Sequence, residues 1–424
     1  MQVSRSVAPG LRSVLAGPSD QIAFSGAIGF TAVALATTAS TADYSTYTIL
    51  LAGAGMIAAV QAGAFAEKHA IKRVHQIVDD QRFLRSVGLR ALGSFVPLYV
   101  VANIFSLAED LTSLVLVASV VPLSIHQTWR GAGQTASGSL SVFAGDAFLF
   151  IVAAVNIALA LLLSEAASSI FVAAIWVSSL TLAALFDYVQ SASLSSSSPV
   201  TSPKPPEQNR KETGYFAIEG ALTHATPQAF PLVLGASGVL LAAAEFRSAF
   251  LIVGPVAAAA AGLRQIIVPK AAGRAEADSS ALRQVGLAVV ATVFVVVGLA
   301  IAVHALGLAR LFPALPTTST ELALLVFVIG LARALSAGSV VATASLRVHG
   351  TAQSFVLLRI FTATTSVLFL TVGVFLGGTL GAAVGLVVAS FLGLIANASM
   401  LRYSIDESPT KLSLIHISEP TRPY

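Results

Sequence analysis

Cysteine is missing from all 424 residues, which excludes a disulfide framework, thiolate metal ligation and a cysteine nucleophile together. Charge is scarce too. Asp, Glu, Lys and Arg make up 10% of the chain, where an ordinary soluble domain carries roughly a quarter. The seven histidines show no HExxH spacing, and there is no GxxxxGK[ST] loop, no dinucleotide glycine fingerprint and no GxSxG elbow. No residue therefore qualifies as catalytic or metal-ligating, no cofactor is indicated, and a nucleotide-driven pump within this single chain is disfavoured. What is abundant is apolar surface: 56% of residues are hydrophobic and the mean hydropathy is +0.84. That is the composition of an all-helical, polytopic membrane protein. The net charge of +4 then reports loop topology, not nucleic-acid binding.

A span needs roughly 20 mostly apolar residues, and the chain offers about twelve such segments. Six lie at 21–39, 44–66, 86–107, 111–127, 142–163 and 168–188, and six more at 217–238, 240–268, 282–306, 322–344, 354–375 and 379–401. Between the sets lies 191–214, whose serines, prolines and charges cannot bury a core and predict a solvated linker. The organisation expected is an N-terminal six-helix bundle (1–190), the linker, a C-terminal six-helix bundle (215–402) and a short tail (403–411). Residues 1–20 carry Arg5 and Arg12 but no apolar core with a small-residue cleavage site, so the first span is expected to be retained. Leu412 to Arg422 reads LSLIHISEPTR, which resembles the translation of a transposase adapter used in sequencing libraries; 412–424 are accordingly expected to be read-through and are set aside.

Basic residues mark one side of the membrane. Lys68, Lys72, Arg73, Arg82 and Arg85 follow the second span, Arg130 the fourth, Lys270 and Arg274 the eighth, Arg347 the tenth and Arg402 the twelfth, with Lys204, Arg210 and Lys211 in the linker. Asp43, Glu109, Asp110, Glu165 and Glu321 occupy the alternate loops. The positive-inside rule places both termini in the cytoplasm of an inner-membrane protein. The halves also resemble each other: LRSVGL opens the third span at Leu84 and LRQVGL opens the ninth at Leu282 (282 − 84, an offset of 198), and Asp43-Tyr44 is matched by Glu245-Phe246 at an offset of 202 (245 − 43). Repeats of six spans share one orientation, so they predict a pseudo-two-fold along the membrane normal and a central cavity between bundles.

Ionisable groups inside apolar runs should face the bundle interior. Arg90, Asp146, Glu219, Arg333 and Arg359 are the deepest, with Arg264 and His224 nearer the membrane ends. Arginines reaching one cavity make a cationic site suited to a diphosphate, because guanidinium offers phosphate a planar fork. The competing reading has each arginine snorkel to the interface or pair with Asp146 or Glu219 as structural glue. Asp146 and Glu219 are equally candidates for coupling transport to a cation. Pro227 and Pro231 remove donors from the seventh span and mark it as a hinge candidate. Tyr44, Tyr47 and Trp129 read as interface anchors.

The stretch Ala244 to Arg274, AEFRSAFLIVGPVAAAAAGLRQIIVPKAAGR, and Asp43 to Arg73, DYSTYTILLAGAGMIAAVQAGAFAEKHAIKR, resemble the eighth and second helices of the multidrug/oligosaccharidyl-lipid/polysaccharide (MOP) exporter superfamily, most closely its polysaccharide flippases. The resemblance implies two bundles rocking around a cationic cavity, with Arg247 and Arg264 on the eighth span and a kink at Gly254-Pro255. It departs at the first span, which lacks the arginine common in lipid-diphosphate flippases and so leaves the substrate open. The expected function is translocation of an undecaprenyl-diphosphate-linked oligosaccharide, with the bilayer and polysaccharide-assembly proteins as partners. Two alternatives stand: a cation-coupled drug or metabolite exporter of the same fold, and a membrane-embedded polysaccharide polymerase or ligase, for which the longest outer loop, 307–321, is short.

Overall fold

The computed structural model describes residues 11–74, 80–104, 107, 110–136, 140–163, 168–195, 210–272, 280–349 and 352–417. Among the described residues every regular element is helical: α1 (Leu11–Thr38), α2 (Thr41–Val74), α3 (Asp80–Ile104), α4 (Leu111–Ala118), α5 (Val120–Ala136), α6 (Leu140–Leu162), α7 (Ser169–Ser195), α8 (Arg210–Ala236), α9 (Leu240–Ala272), α10 (Ser280–Ala305), a 3-10 turn (Leu308–Leu311), α11 (Ser319–His349) and α12 (Ala352–Ile417). Eight segments among them are long and apolar enough to cross a membrane, one of them running from Gln353 to Tyr403.

Helix is the outcome that hydrocarbon enforces, since it satisfies backbone donors and acceptors within the segment. The hydroxyls follow the same rule. Thr31 donates to the Ala27 carbonyl, Ser248 to Ala244, Thr292 to Ala288 and Thr371 to Val367, each one turn back along its own helix. Proline punctuates the fourth span. Pro122 has no N–H to offer the Ala118 carbonyl, and α4 ends at Ala118, with Ser119 closing it through its hydroxyl to Leu116 O at 2.6 Å. One long apolar span thus becomes α4 and α5.

The predicted eleventh and twelfth spans are two arms of α12. Gly377 and Gly378 leave helical geometry, and Gly378 takes φ +56°. The arms then fold against each other: a side chain at Gly373 would strike the backbone of Gly381, and one at Gly385 the backbone of Phe369. Glycine lets the two backbones meet. Counted this way, with α4 and α5 taken together, the described residues make twelve long helical segments.

The two most extensive pairings between the first seven helices and the last five are α2 on α8 and α1 on α9, with a smaller contact of α2 on α9. In order of spans, α1 corresponds to α8 and α2 to α9, so exchanging the halves converts one pairing into the other, as an internal two-fold requires. The α2–α8 contact is antiparallel. Ile49 fills the space beside Gly235, Gln228 that beside Gly55, and at Gly63 and Gly220 the backbones themselves touch, Gly63 O lying 2.7 Å from where a Gly220 side chain would begin. At the opposite end Tyr44 hydrogen-bonds Ser248 across the halves (3.0 Å), and Ala314 N donates to Ala36 O.

Several expectations need amendment. α1 starts at Leu11, ten residues before the apolar run, and α7 and α8 extend to Ser195 and back to Arg210, leaving 196–209 of the linker outside the described residues. α12 continues to Ile417; 418–424 of the adapter-like tail lie outside the description. Tyr44, Tyr47 and Trp129 are not interface anchors. They are 1%, 4% and 1% exposed, because Tyr44 bonds Ser248 and Tyr47 donates to Asp110 Oδ2 at 2.7 Å. The faces left to the bilayer belong to peripheral helices such as α3 and α10, through Leu89, Val96, Phe294 and Ile301.

Candidate functional site

Two groups of charge within the helices differ in character: the first is buried throughout, and the second pairs the buried Arg247 with the part-buried Arg333. The first lies among α5, α6 and α7. His126 is held between two carboxylates, Nδ1 at 2.6 Å from Asp187 Oδ2 and Nε2 at 2.7 Å from Asp146 Oδ1, and Arg130 Nε lies 2.6 Å from Asp146 Oδ2. All four side chains are buried. With both ring nitrogens protonated, two cations balance two anions and the set is neutral as a whole. Phe24 of α1 closes it, its ring 4.5 Å from the Arg130 guanidinium and 5.8 Å from the imidazole. Gly145 leaves room for the imidazole, since a side chain there would begin 3.4 Å from His126 Cε1.

Only Asp146 of this set stood out in the sequence. Arg130 was placed among the loop cations, and the structure corrects that: α5 runs on to Ala136, which carries Arg130 inside. A signal was available. His126 and Arg130 sit one turn apart near the end of the fourth span, Asp146 near the start of the fifth and Asp187 near the end of the sixth, which the alternating topology brings to one level of the membrane.

The second group is cationic and lies where the halves meet. Arg247 of α9 is 6% exposed and donates from Nη1 to Gln228 Oε1 of α8 at 2.9 Å. Gln228 in turn occupies the space that Gly55 of α2 leaves open. The guanidinium of Arg333 of α11 lies over the Phe250 ring of α9, 4.0 Å from its centroid. Phe250 is one turn from Arg247 and joins Phe230 and Phe246 in an aromatic cluster. Among the described residues neither Arg247 nor Arg333 has a carboxylate partner. Gln228 and Phe250, which orient them, carried no sequence signal of their own.

The other candidates are dispersed. Arg359 of α12 pairs with the buried Glu219 of α8 at 3.3 Å, and Thr223 supports that carboxylate. Arg90 is exposed on α3, which packs on α5, α2, α7 and α4, and its guanidinium lies 4.2 Å from the Phe65 ring centroid of α2. Pro227 and Pro231 lie within a continuous α8, and Pro255 lies on α9 with an exposed ring. The side chains of Arg264 and His224 fall outside the description.

No protein-family model matches the chain and no curated protein sequence matches it significantly. Solved structures do. An inward-facing multidrug resistance MATE family transporter of the MOP superfamily is similar at 16% identity and TM-score 0.61, with 94% of this chain and 96% of that one covered. An outward-facing MATE family transporter of the same superfamily matches at 15% identity and TM-score 0.56, covering 95% and 99%. A MOP superfamily transporter from Pyrococcus furiosus, described as having a binding pocket of reverse polarity, matches at 12% identity and TM-score 0.60, also covering 95% and 99%. At such identities the likeness establishes architecture, and it does so over nearly the whole length of each chain. This chain is therefore a multi-pass, all-helical membrane protein with the fold of the MOP superfamily transporters.

Proposed function

We propose that the chain is an alternating-access transporter that moves an anionic amphiphile across the inner membrane, namely an undecaprenyl-diphosphate-linked oligosaccharide destined for surface polysaccharide. The observation that carries this reading is the pair Arg247 and Arg333 around Phe250, set where α2, α8, α9 and α11 meet. A buried cation without a counter-charge is costly. A diphosphate supplies that charge, and guanidinium groups bind its oxygens bidentately. Phe250 offers the apolar face that a prenyl chain or sugar ring packs against. In this reading the two six-helix units, 1–190 and 215–402, rock about the α1–α9 and α2–α8 contacts, both termini stay cytoplasmic, and polysaccharide-assembly proteins receive the product. The test is the surface-polysaccharide profile of a strain lacking the gene. Polymer should be lost, restored by wild type, and restored by neither Arg247→Ala nor Arg333→Ala; normal polymer without the gene sinks the proposal.

A second reading has its own observation. The Asp187–His126–Asp146–Arg130 network is a buried set of titratable groups, suited to coupling export of a drug or metabolite to a cation gradient. It requires Asp146→Asn to abolish efflux while Arg333→Ala leaves efflux intact.

A further inference from the structure

The connection from α10 to α11 differs from its counterpart in the first half. Residues 306–318 separate Ala305 from Ser319, a length of 13 (318 − 305), whereas α3 and α4 are joined by 105–110, a length of 6 (110 − 104). The longer connection turns back onto the bundle. Gly307 takes φ +61°, a left-handed conformation that suits glycine, and starts the 3-10 turn Leu308–Leu311. Beyond that turn Phe312, Ala314 and Leu315 are buried, while Pro313 and Pro316 are exposed. The two prolines fix φ and stiffen the segment. Its buried residues share one apolar cluster with Val33 and Ala36 of α1, across the boundary between the halves.

The segment is held on both halves. Thr317 donates to Glu245 Oε1 of α9 at 3.0 Å, within its own half, and Thr318 N donates to Glu321 Oε2 at 2.8 Å where α11 begins. Ala314 N donates to Ala36 O of the other half at 3.2 Å. One turn along α9 from Glu245, Ser248 gives its hydroxyl proton to Ala244 O and accepts from Tyr44 of α2 at 3.0 Å. These two are the hydrogen bonds described between the halves, and both lie at the end away from the basic loops. At the other end Gly63 and Gly220 meet through backbone packing. A half that tilts away at the bonded end must lift the segment off α1 and part Tyr44 from Ser248.

We infer that 306–318 is a strap that seals the outer end of the interface between the halves, hinged at Gly307, moored on Glu245 and lifted from Ala36 each time the halves part on that side. It rests on the alternating-access reading and not on the identity of the solute. Because the strap belongs to one half and latches onto the other, its opening is a motion of the halves and not of the loop alone. The cysteine-free chain makes the test direct. Leu315→Cys puts one thiol beneath the strap and Arg310→Cys one at an exposed position on it, and each is labelled on intact cells with a membrane-impermeant maleimide. Arg310→Cys should label fast, and Leu315→Cys slowly but to completion. Thr317→Val removes the mooring and leaves Thr379 on Glu245; it should speed labelling of Leu315→Cys about tenfold, as loss of a hydrogen bond to a charged group does. Tyr44→Phe weakens the contact between the halves and leaves the strap's own bonds in place; it should speed the same labelling about fivefold. Three results each overturn the proposal: Leu315→Cys labelling as fast as Arg310→Cys, which means no seal; no labelling at all, which means a fixed plug; and indifference to Tyr44→Phe, which means a loop moving by itself. Failure of Arg310→Cys to label puts the strap on the other side of the membrane and overturns it too. If Leu315→Cys does not fold, deuterium exchange of wild type and Tyr44→Phe in lipid discs decides: the Ala314 amide should exchange about fivefold faster in the variant, and equal rates overturn the strap. Normal surface polymer in a strain without the gene sinks the solute assignment and leaves these labelling results standing.

Discussion

Single side chains here separate into those that neutralise each other and those that do not. Asp146 is fully buried between His126 and Arg130. Asp146→Ala should destabilise the protein by about 3–5 kcal/mol, because the buried set is left with one positive charge in excess; denaturant unfolding in detergent measures it. Asp110, just outside the fourth span, behaves more mildly. Partial burial pushes its pKa up, but hydrogen bonds from Ser113 and Tyr47 outweigh that and hold its carboxyl below the ordinary carboxylate value. A depressed carboxyl contributes stability above its unfolded pKa and loses it as pH falls through the folded one. The gap in thermal stability between wild type and Asp110→Asn should hold at neutral pH and close in acid, below the ordinary carboxylate range. A gap that widens in acid would contradict this. The sequence exposed which residues were out of place in hydrocarbon, Asp146, Arg333 and Glu219 among them. It could not show which way each points, because an arginine's reach spans more than one helix face. Arg90 turned outward and Arg130 inward for that reason.

At the scale of elements the apolar runs were legible almost throughout, since hydrocarbon permits little besides helix at these lengths. What periodicity hides is interruption. Pro122 split the fourth span, and the Gly377–Gly378 turn was compressed into two residues. That turn makes a paired prediction. Gly377 has extended backbone at φ −160°, whereas Gly378 at φ +56° and ψ −139° occupies a region reserved for glycine. Gly378→Ala should cost about 1–3 kcal/mol and Gly377→Ala much less, as read by thermal unfolding. The neighbouring Thr379 gives the turn its seat, donating to Glu245 Oε2 at 2.6 Å while Thr317 donates to Oε1 at 3.0 Å. One carboxylate of α9 thus fixes both the α12 turn and the approach to α11. Glu245 had been noticed in the sequence only as the counterpart of Asp43, and a repeat landmark proved to be a tether.

Across the whole molecule the two halves share a plan and differ in chemistry. Acids collect around His126 on one side, and around Phe250 on the other collect two arginines that have no carboxylate partner among the described residues. The repeat was visible in LRSVGL and LRQVGL, but the unequal distribution of charge needed the packing to show it. The absence of cysteine supplies a direct test of motion. A side chain on Gly254 of α9 would begin 4.0 Å from Ser25 Cβ of α1, within the about 3.5–4.5 Å that a disulfide spans between Cβ atoms. Ser25→Cys with Gly254→Cys should crosslink on oxidation, arrest transport, and recover it on reduction. Full transport by the oxidised pair would show that α1 and α9 need not part. Where Gly63 and Gly220 cross, bare backbone rests on bare backbone. No rotamer has to change there when one half tilts against the other, so the crossing can serve as a bearing. A Gly63→Val change would put a peg into it, and the halves would then seize or be forced apart.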